Sequence, residues 1–191
     1  MPRRGKRKPG DGAGPSKREA AVPSTLSREE QLVAAREAAL RLLTVRERSA
    51  VEIRSRLRGK GFDPEVIVSV LDRLQETELQ DDGRFATQFA QAATGRGMAG
   101  RRIQAELRAR GVSRDLAAEA TVEDPDEELA RARELAGRRA SRMGDLVPEA
   151  VLRRITGLLA RKGYDPETCR IVASDVARSS SLDPAVPWDL P

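Results

Sequence analysis

"GKGFDPEVI" (59–67) returns as "RKGYDPETC" (161–169), and a looser version, "ARGVSRDLA" (109–117), lies between them. Gly61, Gly111 and Gly163 therefore recur about every 50 positions, a near-constant period that marks a tandem architecture. Aligning the three stretches puts Ile53, Ile103 and Ile155 in one column and Leu57, Leu107 and Leu159 in another. An apolar pair four residues apart forms one face of a helix. The glycine that follows each pair can take the left-handed conformation that ends a helix. Next comes an apolar plug: Phe62, Val112 or Tyr164.

The start of the following helix is written just as locally. Asp63-Pro64-Glu65 and Asp165-Pro166-Glu167 each place an N-cap acceptor before a proline at N1, where no amide proton is missed. The middle unit uses Ser113 without the proline. In the first unit Val66, Ile67, Val70, Leu71 and Leu74 supply the apolar face of that helix. A further helix precedes each pair. The first carries Leu32, Ala35, Ala39, Leu42 and Leu43 and ends before a capping box at Ser49–Glu52. The second carries Phe85 and Phe89 with Ala86, Ala90 and Ala93. The third opens at Asp124-Pro125 and runs through Leu129, Ala132 and Leu135. No segment alternates as a strand would.

The expected fold is all-α: an elongated, curved tandem array of three three-helix repeats with disordered tails. Residues 1–24 read as a disordered basic tail, 25–78, 79–123 and 124–178 as the repeats, and 179–191 as a C-terminal tail holding the only tryptophan, Trp188. Stacking neighbours should enlarge the surface that each small unit buries. The helix after Gly111, with Ala117, Ala118 and Ala120 in place of larger residues, should be short and thinly packed.

Composition narrows the function. The chain has no histidine and one cysteine among 191 residues. Histidine-based triads, histidine-ligated zinc and an internal disulfide are excluded. Cys169 aligns with Ile67 and Ala117 and reads as a buried small hydrophobe. The acidic groups Asp81-Asp82 and Glu123–Glu128 precede helices and read as caps rather than metal or catalytic sites. No phosphate-loop motif is present. An enzyme is not expected, nor any cofactor. No apolar run is long enough to span a membrane, and a cytoplasmic location is the expectation.

The net charge of +5 fits a polyanionic partner or a strongly negative protein surface. Lys60, Arg110 and Lys162 share the column just before the turn glycine. There a cation also suits a helix C-terminus, so the column can be read either way. Arg54, Arg56 and Arg58, Arg101, Arg102 and Arg108, and Arg153, Arg154 and Arg161 gather on the same helices. A basic stripe of this kind would give weak, sequence-independent, salt-sensitive binding to DNA. Stacking aromatics for single strands are nearly absent. The glycine-turned helix pairs also resemble a helix-turn-helix, so an operator-binding transcriptional repressor stands as the alternative.

Several ordered stretches resemble the RecX family, regulators of the RecA recombinase. "LRLLTVRERSAVEIRSRLRGKGFDPEVIVSVLDRL" (40–74) is similar to that family's first repeat, and "LQDDGRFATQFA" (79–90) to its Asp-Asp…Arg-Phe-Ala signature. "GRRIQAELRARGV" (100–112) is similar to its arginine-rich second-repeat helix, and "LLARKGYDPE" (158–167) to its third-repeat turn. The resemblance implies three three-helix repeats that bind in the groove of RecA filaments on DNA; the chain itself is expected to be a monomer. It also implies inhibition of the filament's ATPase, strand-exchange and co-protease activities. It directs attention to Arg84 in the signature, with Phe85 as core, and to Arg54, Arg58, Lys60, Arg101, Arg102 and Arg108 on the basic helices.

Overall fold

The computed structural model describes residues 26–144 and 146–179. The tail assigned to 1–24, and residues 180–191 with Trp188, lie outside the described residues. Among the described residues there are nine helices and no strand. The first repeat holds α1 (Arg28–Val45), α2 (Ala50–Gly59) and α3 (Pro64–Glu76). The second holds α4 (Asp82–Gly95), α5 (Gly100–Ala109) and α6 (Arg114–Glu119), and the third α7 (Pro125–Ala140), α8 (Pro148–Lys162) and α9 (Pro166–Ser179).

The repeated turn forms as its sequence dictates. Gly61, Gly111 and Gly163 have φ of 91°, 85° and 95°. In each unit the plug residue's N–H then reaches back to the carbonyl of the seam leucine, from Phe62 to Leu57, Val112 to Leu107 and Tyr164 to Leu159. This satisfies a carbonyl that the helix end would otherwise leave without a partner. Ser113 Oγ accepts from Leu116 N–H at 3.2 Å, and Asp165 Oδ1 from Glu167 and Thr168 N–H at 2.9 and 3.0 Å.

Two caps depart from the sequence reading. Asp63 makes no side-chain cap bond. Its carboxylate accepts from Gln31 Nε2 of α1 at 3.0 Å, while Gln31 Oε1 accepts from Asp63 N–H. This reciprocal pair satisfies the buried Gln31 amide. The Ser49–Glu52 box is only half made. Ser49 Oγ accepts from Glu52 N–H at 3.1 Å, but the Glu52 carboxylate turns to arginines instead. A full capping box stands at Ser27 and Glu30, opening α1.

The isoleucine–leucine seam is the centre of each unit, with all six side chains at 0–1% exposure. Three separate cores result. The first gathers Phe62, Val66, Ile67, Val70, Leu71 and Leu74 around Ile53 and Leu57. The second gathers Phe85, Val112 and four alanines around Ile103 and Leu107. The third gathers Val151, Tyr164, Cys169 and Val172 around Ile155 and Leu159. Cys169 is buried, and burial pushes its thiol pKa up. At six residues, α6 is the shortest of the described helices, and it buries only Ala117.

The repeats meet without a continuous apolar core. No apolar cluster joins the first two repeats. Between the second and third, Ala99 alone enters the third core. Each three-helix unit is closed on its own seam, so what remains for its neighbour is helix ends, which are polar.

The Thr168 side chain, then backbone amides, hold the capping carboxylate of Asp165 below the usual aspartate range, and backbone amides do the same for Asp81. Acid protonates the unfolded chain's aspartates first, so stability from these caps is intact above the ordinary range and lost as pH falls through the lower folded values. Melting temperature should therefore begin to fall below about pH 4. Asp81→Asn and Asp165→Asn, which keep a cap acceptor but cannot titrate, should flatten that acid limb. An unchanged limb in both variants would exclude the caps as its source.

Candidate nucleic-acid and partner interface

The middle helices α2, α5 and α8 are linked end to end by two joints of the same construction. In the first, the C-terminus of α5 meets the N-terminus of α2. Ser49 Oγ donates to the Arg110 carbonyl at 2.6 Å, and Asp82 Oδ1 accepts from Ala50 N–H at 2.9 Å. In the second, the C-terminus of α8 meets the N-terminus of α5. Ala99 N–H donates to the Lys162 carbonyl at 3.0 Å, the Arg102 guanidinium donates to the Arg161 carbonyl, and Glu128 Oε1 accepts from Gly100 N–H at 2.9 Å. Each joint satisfies otherwise unpaired carbonyls with otherwise unpaired amides or their neighbours, and sets the negative end of one helix dipole against the positive end of the next.

The turn glycines fit these joints closely. A Cβ on Gly111 would fall within the Val51 side chain, and one on Gly163 against Arg102. At Gly61 a Cβ would meet nothing within 4 Å. At the other end, Val151 aligns with Ser49 and Ala99 but lies beyond the first turn of α8 and is buried.

The candidate cations divide into two groups. Some bind within the chain. Arg110 pairs with Glu52 at 2.7 Å across the first joint and lies over the Phe89 ring at 4.7 Å. Lys162 Nζ donates to the Arg96 carbonyl at 2.7 Å across the second. Arg102 pairs with Glu106 on its own helix as well as reaching Arg161. Arg84 pairs with Glu47 at 2.6 Å and donates to the Glu78 and Leu79 carbonyls, so the signature arginine fastens the loop between α3 and α4 to the α1–α2 connection. The Glu47 bond raises the Arg84 pKa. Lys60 is half-buried at the open end of the array.

The others face solvent: Arg54 and Arg58 on α2, Arg101 and Arg108 on α5, and Arg153, Arg154 and Arg161 on α8, together with Arg56. Among the described residues none of these makes an ion pair. The column singled out by the sequence is thus the fastening at both joints, and the exposed positive charge lies on neighbouring positions of the same helices.

Sequence reasoning missed the acidic half of the joints. Glu47, Glu52, Asp82 and Glu128 hold the repeats together, with Gln80 donating to the Arg48 carbonyl at 3.3 Å and to Asp82 at 2.7 Å. No alignment column could have paired them. Asp82 precedes Ile103 by fewer residues than Glu128 precedes Ile155. The acidic stretches do cap helices, as their composition implied. Asp81 caps α4 and Asp124 caps α7, while Glu123 pairs with Arg131.

Fold and surface together define a tandem helical-repeat protein with solvent-facing arginines along its successive middle helices. Family models for the first, second and third three-helix domains of RecX match residues 35–74, 81–120 and 126–172, in that order. The chain belongs to the RecX family. It is 37% identical to the regulatory protein RecX of Amycolatopsis mediterranei over 86% of this chain and 98% of that one. With the regulatory protein RecX of Mycobacterium avium it shares 38% identity over 81% of this chain and 91% of that one. The crystal structure of RecX from Lactobacillus salivarius superposes with a TM-score of 0.67 at 18% identity, covering 78% of this chain and 97% of that one. No described helix is long and apolar enough to cross a membrane.

Proposed function

We propose that this chain regulates homologous recombination without catalysing a reaction, by binding the filament of RecA recombinase on DNA and inhibiting its ATPase, strand-exchange and co-protease activities. The observation that carries this reading is the ordered set of three family repeats whose middle helices present arginines to solvent. A monomer in the cytoplasm would lay those helices across neighbouring recombinase subunits and the DNA beside them. A ligand shifts an equilibrium only by its differential affinity for the two states. The chain must therefore bind the inhibited filament arrangement more tightly than the active one.

ATP hydrolysis by recombinase on single-stranded DNA tests the reading directly. Hydrolysis should fall steeply as the chain approaches stoichiometry with recombinase, and undiminished hydrolysis at that ratio would refute it. The alternative, a transcriptional repressor, predicts that selection from random duplexes enriches one sequence. The regulator predicts no enrichment and strong salt sensitivity.

A further inference from the structure

We infer that the second joint, where α8 meets α5, is the chain's binding site for a nucleic-acid phosphate backbone, and that the first joint is not. The inference rests on the reading of the chain as a partner of DNA-bound filaments and specifies which surface meets the DNA.

The two joints share one construction but differ in charge. At the first, four arginines close on two carboxylates. Glu52 takes Arg46 at 3.0 Å, Arg48 at 3.8 Å and Arg110 at 2.7 Å, and Glu47 takes Arg84. The Arg48 and Glu52 side chains are mostly buried there, at 13% and 17% exposure. Two of the four positive charges are offset there, and all four guanidiniums are already held by carboxylates.

At the second joint the corresponding carboxylate is missing. The position aligned with Glu52 is Arg102, so an acid has become a base at the same place. The joint is held by carbonyls instead, with Arg102 donating to Arg161 and Lys162 to Arg96. These two bonds neutralise no charge. They make neighbours of three helix ends: that of α4 with Arg96, the start of α5 with Arg101 and Arg102, and that of α8 with Arg161 and Lys162. Arg102 alone among the five forms an ion pair within the described residues, with Glu106. Arg96, Arg101 and Arg161 are exposed.

Long cationic side chains rooted on three elements, of which Arg102 alone is paired with an acid, suit a string of phosphates, since each guanidinium can grip two phosphate oxygens. Lys162 and Arg102 are held by the joint, and the exposed Arg96, Arg101 and Arg161 are the side chains offered to the nucleic-acid backbone. By contrast Arg54, Arg56 and Arg58 lie on one helix, whose period turns Arg56 away from the other two.

The test compares two triple variants of the full chain, with the residues that hold the joint left intact. Arg96→Gln/Arg101→Gln/Arg161→Gln removes the exposed trio, and Arg54→Gln/Arg56→Gln/Arg58→Gln removes the same charge from the first repeat. Binding is read by fluorescence anisotropy of a labelled oligodeoxythymidine across a salt series, with no recombinase present. The joint triple should weaken binding about 10- to 100-fold at about 0.1 M salt and flatten the logarithmic salt slope by about 2. The α2 triple should change affinity by less than about threefold. Equal losses in both triples, or affinity unchanged in the joint triple, would overturn the proposal. Loss of filament inhibition with DNA binding intact would also overturn it, and would assign the patch to an acidic protein surface instead. If DNA binding depends on the joint while recombinase hydrolysis is unaffected by the wild-type chain, the site stands and the regulatory reading falls.

Discussion

Leu107→Ala is expected to destabilise the chain by about 3–4 kcal/mol, measured by urea unfolding followed by circular dichroism. Leu107 is fully buried at the centre of the second core. Most of its neighbours there are already small: Ala86, Ala90, Ala93 and Ala117. Alanine side chains cannot move in to fill the space, so the cavity term should stand near its full value. Position in the array adds a second consequence. The second repeat supplies one half of each joint, through Asp82 and Arg110 on one side and Ala99 and Gly100 on the other. In a one-dimensional array, loss of the middle unit removes both nearest-neighbour terms, whereas loss of an end unit removes one. Leu57→Ala, at the same column of the first repeat, should therefore leave the remaining two repeats unfolding as a pair, and Leu107→Ala should not. Leu107→Met, which nearly conserves volume, should cost less than about 1.5 kcal/mol. A loss below about 1 kcal/mol for Leu107→Ala would contradict the close packing described here.

Gly111→Ala should cost about 2–4 kcal/mol, and Gly61→Ala only about 1 kcal/mol. Both glycines have φ near +90°, so the penalty for placing an L side chain in the left-handed region is common to them. The difference is what the new methyl meets. At Gly61 it points into open space, but at Gly111 it enters the volume of Val51 at the start of α2. Because Val51 is followed directly by Glu52, displacing it also disturbs the Arg110 ion pair across the joint. Adding Val51→Ala to Gly111→Ala removes the two γ-methyls but keeps the Val51 Cβ, 2.5 Å from the new methyl, so it should recover only part of the overpacking loss and leave the backbone strain. Thermal unfolding of the three variants measures this. Equal losses at Gly61 and Gly111 would show that the joint does not close on the turn.

The helical faces and the turns were legible in the sequence because both are local. The i, i+4 pairs Ile53–Leu57, Ile103–Leu107 and Ile155–Leu159 fix which side of each middle helix is buried, and the glycine after each pair has little other use. The alanine-rich composition of the helix after Gly111 likewise foretold a short element. The functions of Asp63 and Glu52 were not legible. Each occupies a position whose local rule is sound, yet a more distant group made the better bond: Gln31 for Asp63 and Arg110 for Glu52. The candidate cations show the same limit. Lys60, Arg110 and Lys162 stood out by alignment, but alignment records equivalence of position and carries no information about which acid or carbonyl each side chain reaches.

By itself the sequence determined three helical units in series, because a 3.6-residue period, a cap and a glycine act within a few residues of one another and need no distant partner. Tertiary structure alone decided how those units join and which charges remain for another molecule. Ser49 and Arg110, or Arg96 and Lys162, are separated by some sixty residues, and their meeting depends on the placing of whole helices. Whether an arginine holds the protein together or faces solvent is settled by a carboxylate or carbonyl within hydrogen-bonding reach, which spacing along the chain encodes only for neighbours on one helix, such as Arg102 and Glu106.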